Sequence, residues 1–124
     1  MSLEKVLILY YSGSGNTKKM AKEIAEAMKS SAINVTVEDV GKFDISLLPN
    51  YSGGKLKRKV AGIFTSAGTS TNGKDCLKML EVALGFHHGM KVVPGILRVD
   101  GESDKEVEKR CQEYGKRLVK EIEK

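Results

Sequence analysis

Val6-Leu7-Ile8-Leu9-Tyr10-Tyr11-Ser12-Gly13-Ser14-Gly15-Asn16-Thr17 is the stretch from which the fold is read. From Val6 its first half is continuously apolar, the pattern of a strand covered on both faces, and such strands belong to parallel sheets flanked by helices. At Ser12 the character changes. Gly13 and Gly15 permit positive φ and close backbone approach, while Ser12, Ser14, Asn16 and Thr17 offer side-chain donors. Beyond them Met20, Ala21, Ile24, Ala25 and Met28 recur at steps of one, three and four among Lys18, Lys22, Glu23, Glu26 and Lys29, which predicts an amphipathic helix over residues 17–31. A loop that leaves a buried strand and opens a helix presents the unbonded N–H groups of the first turn and the positive end of the helix dipole. No carboxylate lies between Lys5 and Lys22, so residues 12–17 read as a nest for a phosphate. An ordinary capped turn is the plain alternative, but two glycines and four donors in six residues exceed what a cap uses.

Further along, residues 35–40 predict a second strand, whose shorter alternation at Val35 and Val37 suits an edge position. Residues 41–57 carry Pro49, Asn50, Ser52, Gly53 and Gly54 without a sustained period and read mostly as loop. Residues 59–65 resume the buried-strand pattern. They lead into Ser66-Ala67-Gly68-Thr69-Ser70-Thr71-Asn72-Gly73, a second loop of hydroxyls and glycine. A helix is expected over residues 74–86 with Cys76, Leu77, Leu80, Ala83 and Leu84 inward and Gly85 or Gly89 as its cap. Residues 91–99 predict a strand with an interruption at Pro94-Gly95. In the last helix Ser103 is the expected N-cap, Glu106 stands three residues on, and Val107, Cys111, Tyr114, Leu118 and Ile122 share one face. Alternating strands and helices make this an α/β domain with a parallel sheet, whose ligands bind at the carboxyl ends of the strands.

A chain of 124 residues fits one domain, residues 1–124, and its 40% hydrophobic and 30% charged residues exclude disordered, collagen-like and low-complexity classes. The longest apolar run is far short of the roughly 20 residues that cross a bilayer. No secretory leader is evident, so a cytoplasmic location is expected. Cys76 and Cys111 have neither disulfide-scaffold nor metal spacing, and each falls on the apolar stripe of an expected helix as a core thiol; no metal site is expected. The net charge of +5 invites a nucleic-acid reading, but 16 acidic residues are interleaved with 21 basic ones. Lys55, Lys57, Arg58 and Lys59 form the only local basic run and read as a solvated loop.

The stretch from Val6 to Thr17 closely resembles the flavodoxin fingerprint, a strand followed by a Ser/Thr-x-Ser/Thr-Gly-Asn-Thr loop that holds the phosphate of FMN. Residues 59–69, and then His87-His88-Gly89-Met90-Lys91-Val92-Val93-Pro94, resemble the flavodoxin-like NAD(P)H:quinone oxidoreductases, the tryptophan-repressor-binding-protein family. The resemblance implies a flavodoxin-like three-layer sandwich with FMN as cofactor. It implies that Ser12, Gly13, Ser14, Gly15, Asn16 and Thr17 hold the phosphate, that Ser66, Ala67, Gly68 and Thr69 lie along the flavin, and that His87 approaches it. The implied activity is electron transfer or reduction of a small acceptor such as a quinone, an FMN-dependent NAD(P)H oxidoreductase among the forms this takes. A redox partner or small-molecule acceptor goes with it, and no nucleic acid or membrane. No general acid or base is identified. For His87 and His88 a capping or surface role near a helix end is the ordinary reading.

Between the second strand and residues 59–65, members of that family carry a central strand, a flavin-contacting loop and a helix that have no counterpart here. The resemblance therefore implies a shortened parallel sheet. Three explanations fit: the first strand pairs directly with residues 59–65, another chain supplies a strand, or the sequence omits residues. The first and third are favoured, because losing a central strand strips backbone partners from both neighbours. The exposed edges of a shortened sheet also predict a homo-oligomer. Two other functions are weighed: a flavodoxin-derived binding or assembly module without flavin, and a nucleotide-binding P-loop read from Gly68-Thr69-Ser70-Thr71-Asn72-Gly73-Lys74-Asp75, where Asp75 replaces the required Ser or Thr.

Overall fold

The computed structural model describes residues 5–10, 15–29, 34–39, 59–87 and 89–123. The expected loop over residues 41–57 and the tip of the first glycine loop lie outside them. Strand β1 (Lys5–Tyr10) is followed by helix α1 (Asn16–Lys29) and strand β2 (Asn34–Asp39); then come β3 (Val60–Ala67), α2 (Ser70–Glu81), a π-helical turn (Val82–His87), β4 (Lys91–Val99) and α3 (Asp104–Glu123). β2 runs parallel to β1, from Lys5 opposite Asn34 to Tyr10 opposite Asp39. β3 and β4 form a second parallel ladder, from Val60 opposite Lys91 to Ala67 opposite Val99.

Among the described residues no ladder joins β1 to β3. Of the two favoured explanations, direct pairing of the first strand with residues 59–65 is overturned: the described strands form two parallel pairs. Among the described residues, one helical layer packs against both pairs. The apolar stripe of α1 buries Met20, Ala21, Ile24, Ala25 and Met28, the residues its periodicity selects. That of α3 buries Val107, Cys111, Tyr114, Gly115, Leu118 and Val119. Both stripes enter one core with Ile8 of β1 and Val93 of β4. The helices approach closely at Gly115, where a Cβ would stand 2.8 Å from the Ile24 carbonyl oxygen and 2.8 Å from the Ala27 Cβ.

α3 is also fastened into the β3–β4 ladder. Two residues of β4, Pro94 and Gly95, lie where β3 has Ile63, so the register shifts between Gly62 and Phe64. The expected interruption is thus a β-bulge within one continuous strand. At the bulge the Tyr114 hydroxyl accepts from the Ile63 N–H at 2.8 Å and donates to the Val93 carbonyl at 3.1 Å. A side chain of α3 thereby replaces a missing rung of the ladder, and burial raises its pKa, which keeps the donating proton in place.

α2 covers the opposite face and differs from expectation. It begins four residues earlier, because Thr69 caps it by accepting the Asn72 N–H at 3.2 Å. Its buried contact with the sheet is Gly73, packed so closely under the Leu97 side chain that a Cβ would require that side chain to move. This close approach sets the helix phase, so Cys76, Leu80 and Ala83 are exposed and not inward, and Leu77 and Leu84 are half-buried. The expected core position of Cys76 is overturned; Cys111 is buried as expected, its thiol pKa pushed up to about 11 chiefly by burial. Beyond the π-helical turn stands Gly89 with φ 66, whose N–H bonds the Gly85 carbonyl at 3.1 Å.

Tyr114→Phe orphans two buried backbone groups and is expected to destabilise the protein by roughly 1–3 kcal/mol. Urea unfolding with an unchanged midpoint would show that the hydroxyl does not complete the ladder.

Candidate functional site

The carboxyl ends of β1 and β3 open on the same end of the molecule, and α1 begins there. Gly15 has φ 91 with open space where a Cβ would point. Among the described residues the first helical bond runs from the Lys19 N–H to the Gly15 carbonyl at 3.1 Å, and the amides of the first turn point out of the helix start. The first turn holds no acidic residue. An anion at this point meets the positive end of the helix dipole without carboxylate repulsion from that turn.

Thr17, in that turn, meets Ser66 near the end of β3, their hydroxyl oxygens 2.7 Å apart. Forty-nine positions of sequence separate them, and the contact brings the first turn of α1 against the end of β3. Ser66 and Ala67 belong to β3, so the second loop is Gly68 and Thr69 alone, shorter than residues 66–73 suggest. The Ala67 carbonyl accepts from the Asp100 N–H at 3.1 Å, which ties this strand end to the turn after β4. Asp100 Oδ2 lies 3.8 Å from where a Cβ on Gly68 would stand. Thr69 is spent on capping α2.

Ser12, Gly13 and Ser14 lie outside the described residues, while Asn16 is the first residue of α1. His87 closes the π-helical turn at the other end of α2 from Thr69. The P-loop reading fails on geometry: Gly73, Lys74 and Asp75 are inside α2, with Gly73 pressed on Leu97, and form no loop around a phosphate. Among the described residues no group of three or more His, Cys, Asp or Glu is placed to hold a metal, and no helix is long and apolar enough to cross a membrane.

Two ion pairs brace the turn after β4. Arg98 meets Asp104 at 2.7 Å. Arg110 meets Glu102 at 2.8 Å, and the same carboxylate accepts the Val99 N–H at 2.7 Å. The Val99 amide and then Arg110 hold the Glu102 carboxyl below its ordinary pKa. Sequence reasoning missed these braces. It also missed the Thr17–Ser66 contact, for which nothing local to either residue gives a signal.

A family model described as Flavodoxin matches residues 8–121. The NAD(P)H dehydrogenase (quinone) of Sinorhizobium fredii is 28% identical over 140 residues, covering 73% of this chain and 70% of that protein. That of Rhizobium rhizogenes is 26% identical over 162 residues, covering 91% and 81%. Of this chain's 124 residues 73% is about 91, set against 140 aligned, and 91% is about 113, set against 162; both leave roughly 50 positions of the relative with no residue here. Among solved structures, a flavodoxin from the domain Archaea superposes with a TM-score of 0.76 at 19% identity, over 97% of this chain and 99% of that one.

Two predictions follow from the geometry. In a double-mutant cycle, Thr17→Val and Ser66→Ala are expected to couple by about 0.5–1.5 kcal/mol in unfolding free energy, and strict additivity would mean that the hydroxyls do not meet. Folding lowers the Glu102 pKa, so its contribution is complete above the unfolded carboxylate range and is lost as pH falls through the folded value. Glu102→Gln is expected to be less stable than the parent at pH 7, with the difference shrinking at pH 3; an undiminished difference at pH 3 would contradict the assignment. Two half-sheets under a common helical layer, joined at the strand ends where α1 starts, and matched from residue 8 to residue 121, place this chain in the flavodoxin family.

Proposed function

We propose that this chain binds FMN at the carboxyl ends of β1 and β3 and serves in electron transfer or in the reduction of a small acceptor such as a quinone, as a single cytoplasmic domain. The observation that carries the reading is the 2.7 Å contact between Thr17 and Ser66, which brings the α1 N-terminus and the end of β3 to one point. The residues fit the phosphate: a glycine at positive φ with open space beside it, helix-start amides, and hydroxyls where α1 meets the end of β3. Flavin itself supplies the redox chemistry, accepting and returning electrons. The protein's part is to anchor the phosphate with residues 12–17 and to lay residues 66–69 along the ring. The names of the two rhizobial relatives support quinone as the class of acceptor.

A second reading, a binding module without flavin, is favoured by one observation. Both alignments leave roughly 50 positions of the relatives with no residue here, and among the described residues no ladder joins β1 to β3.

Titration with FMN and, separately, with riboflavin distinguishes the readings. Phosphate anchoring predicts one FMN per chain and riboflavin weaker by at least about tenfold, the value of one charge-assisted hydrogen bond. Ser66→Ala is expected to weaken FMN without abolishing folding. Equal affinity for the two flavins would overturn the phosphate assignment, and no binding of either would favour the module.

A further inference from the structure

The outward face of α3 carries a pattern that helix stability does not ask for. Lys105, Lys109, Lys116 and Lys120 fall within roughly 60° of one another at 3.6 residues per turn, in a row about 22 Å long. They lie opposite the buried stripe of Val107, Cys111, Tyr114 and Leu118. All four are exposed, as is Gln112 between them, and Glu123 ends the line. Among the described residues none of the four makes an ion pair.

Two properties of the row work against the helix that carries it. Lys105 is the second residue of α3, where the positive end of the helix dipole disfavours a cation. Lys105 and Lys109, and again Lys116 and Lys120, are like charges four residues apart, a spacing that weakens a helix. Asp104 and Glu121, which adjoin the two ends of the row in sequence, are turned to the sheet instead: Asp104 meets Arg98 of β4 at 2.7 Å and Glu121 meets Lys91 of β4 at 2.6 Å. Other carboxylates border the row on both sides. Toward α1, Glu108 and Glu23 line one groove with Lys19, and the Gln112 amide donates to Glu23 at 3.3 Å. Away from α1, Glu106 and Glu113 follow the row round the helix.

We propose that this lysine row is a docking site for an acidic helix of another protein, with carboxylates at the same spacing, i, i+4, i+11 and i+15, and basic residues on either side of them. Charge complementarity chooses this occupant. The row is one helix face wide, so a helix about 10 Å across laid along it pairs with the lysines and sets its flanking cations against the bordering carboxylates. An anionic bilayer or a nucleic-acid duplex spreads like charge beyond the row and meets Glu106, Glu108 and Glu113 with repulsion. Among the described residues no helix of this chain places exposed acids at all four of those positions, so a second copy is not the occupant. The site is independent of flavin binding, because the row lies on the outward face of α3 and the phosphate anchor is built from the start of α1 and the end of β3.

The test mixes the full 124-residue chain with an alanine-rich helical peptide carrying glutamates at i, i+4, i+11 and i+15 and arginines beside them. Fluorescence anisotropy reads the affinity at about 0.1 M salt, where only charges within roughly 10 Å still feel one another. The expected result is a one-to-one complex, and a peptide of identical composition with the glutamates moved out of that spacing is expected to bind at least about tenfold more weakly. The double variant Lys109→Glu, Lys116→Glu, verified to fold by circular dichroism, is expected to lose at least about tenfold for the first peptide. A peptide with lysines in place of glutamates at i+4 and i+11 is expected to restore binding to that variant. Equal binding of the rearranged peptide, no binding of the first, undiminished binding by the variant, or failure of the restoring peptide would each overturn the proposal. So would tighter binding to phosphatidylserine vesicles or to duplex DNA at the same salt, or self-association of the chain that the double variant abolishes. None of these readouts involves flavin, so they stand or fall apart from the proposed function.

Discussion

The rest of this structure depends on the contact between α1 and α3 at Gly115. In an uninterrupted sheet, backbone ladders fix each strand against the next. Among the described residues no ladder joins β1 to β3, and the helices link the two pairs. The absence of a side chain at Gly115 lets α3 approach the Ile24 carbonyl and Ala27 directly, and the buried stripes on either side form one core with residues from both half-sheets. A helix pair in such close contact has little freedom to slide. The half-sheets beneath it inherit its geometry, α1 holding β1 and β2 while Tyr114 pins α3 to β3 and β4.

The candidate site is a consequence of that arrangement. Thr17 is carried by α1 and Ser66 by β3, so their contact is set by how the helical layer positions one half against the other. The Arg98–Asp104 and Arg110–Glu102 pairs brace the start of α3 against the end of β4, and the Ala67–Asp100 hydrogen bond ties that turn back to β3. A ligand bridging the α1 N-terminus and the end of β3 would therefore report on the whole layer, and conversely would stabilise the contact it spans.

Much of this was legible in the sequence, for physical reasons that differ by element. The stripes of α1 and α3 are regular, and every residue their period selects for the interior is at least partly buried. The βα loop after the first strand announces itself by glycines and hydroxyls packed between an apolar run and a helix. α2 was misread because its key residue is Gly73. Read locally, that glycine belongs to a loop; in the fold it is the contact that lets a helix lie on Leu97, and it rotates Cys76 and Leu80 out of the core. Pro94-Gly95 signalled an irregular strand, and Tyr114 on an inward face signalled a hydroxyl in need of a partner. That the two answer one another is a tertiary fact, as is the meeting of Thr17 and Ser66. The pairing of the shortened sheet was least legible, since whether β1 ladders with β3 is a tertiary matter that neither strand's own sequence decides.

The most direct measurement is the set of cross-strand amide contacts in the isolated 124-residue chain, read by nuclear Overhauser effects and through-hydrogen-bond couplings. With the helical layer linking the two pairs, contacts should connect β1 with β2 and β3 with β4, with Tyr114 signals linked to Ile63 and none of the regular parallel series between β1 and β3. A continuous β1–β3 series would contradict the account, because the sheet would then hold itself together and the helices would merely cover it.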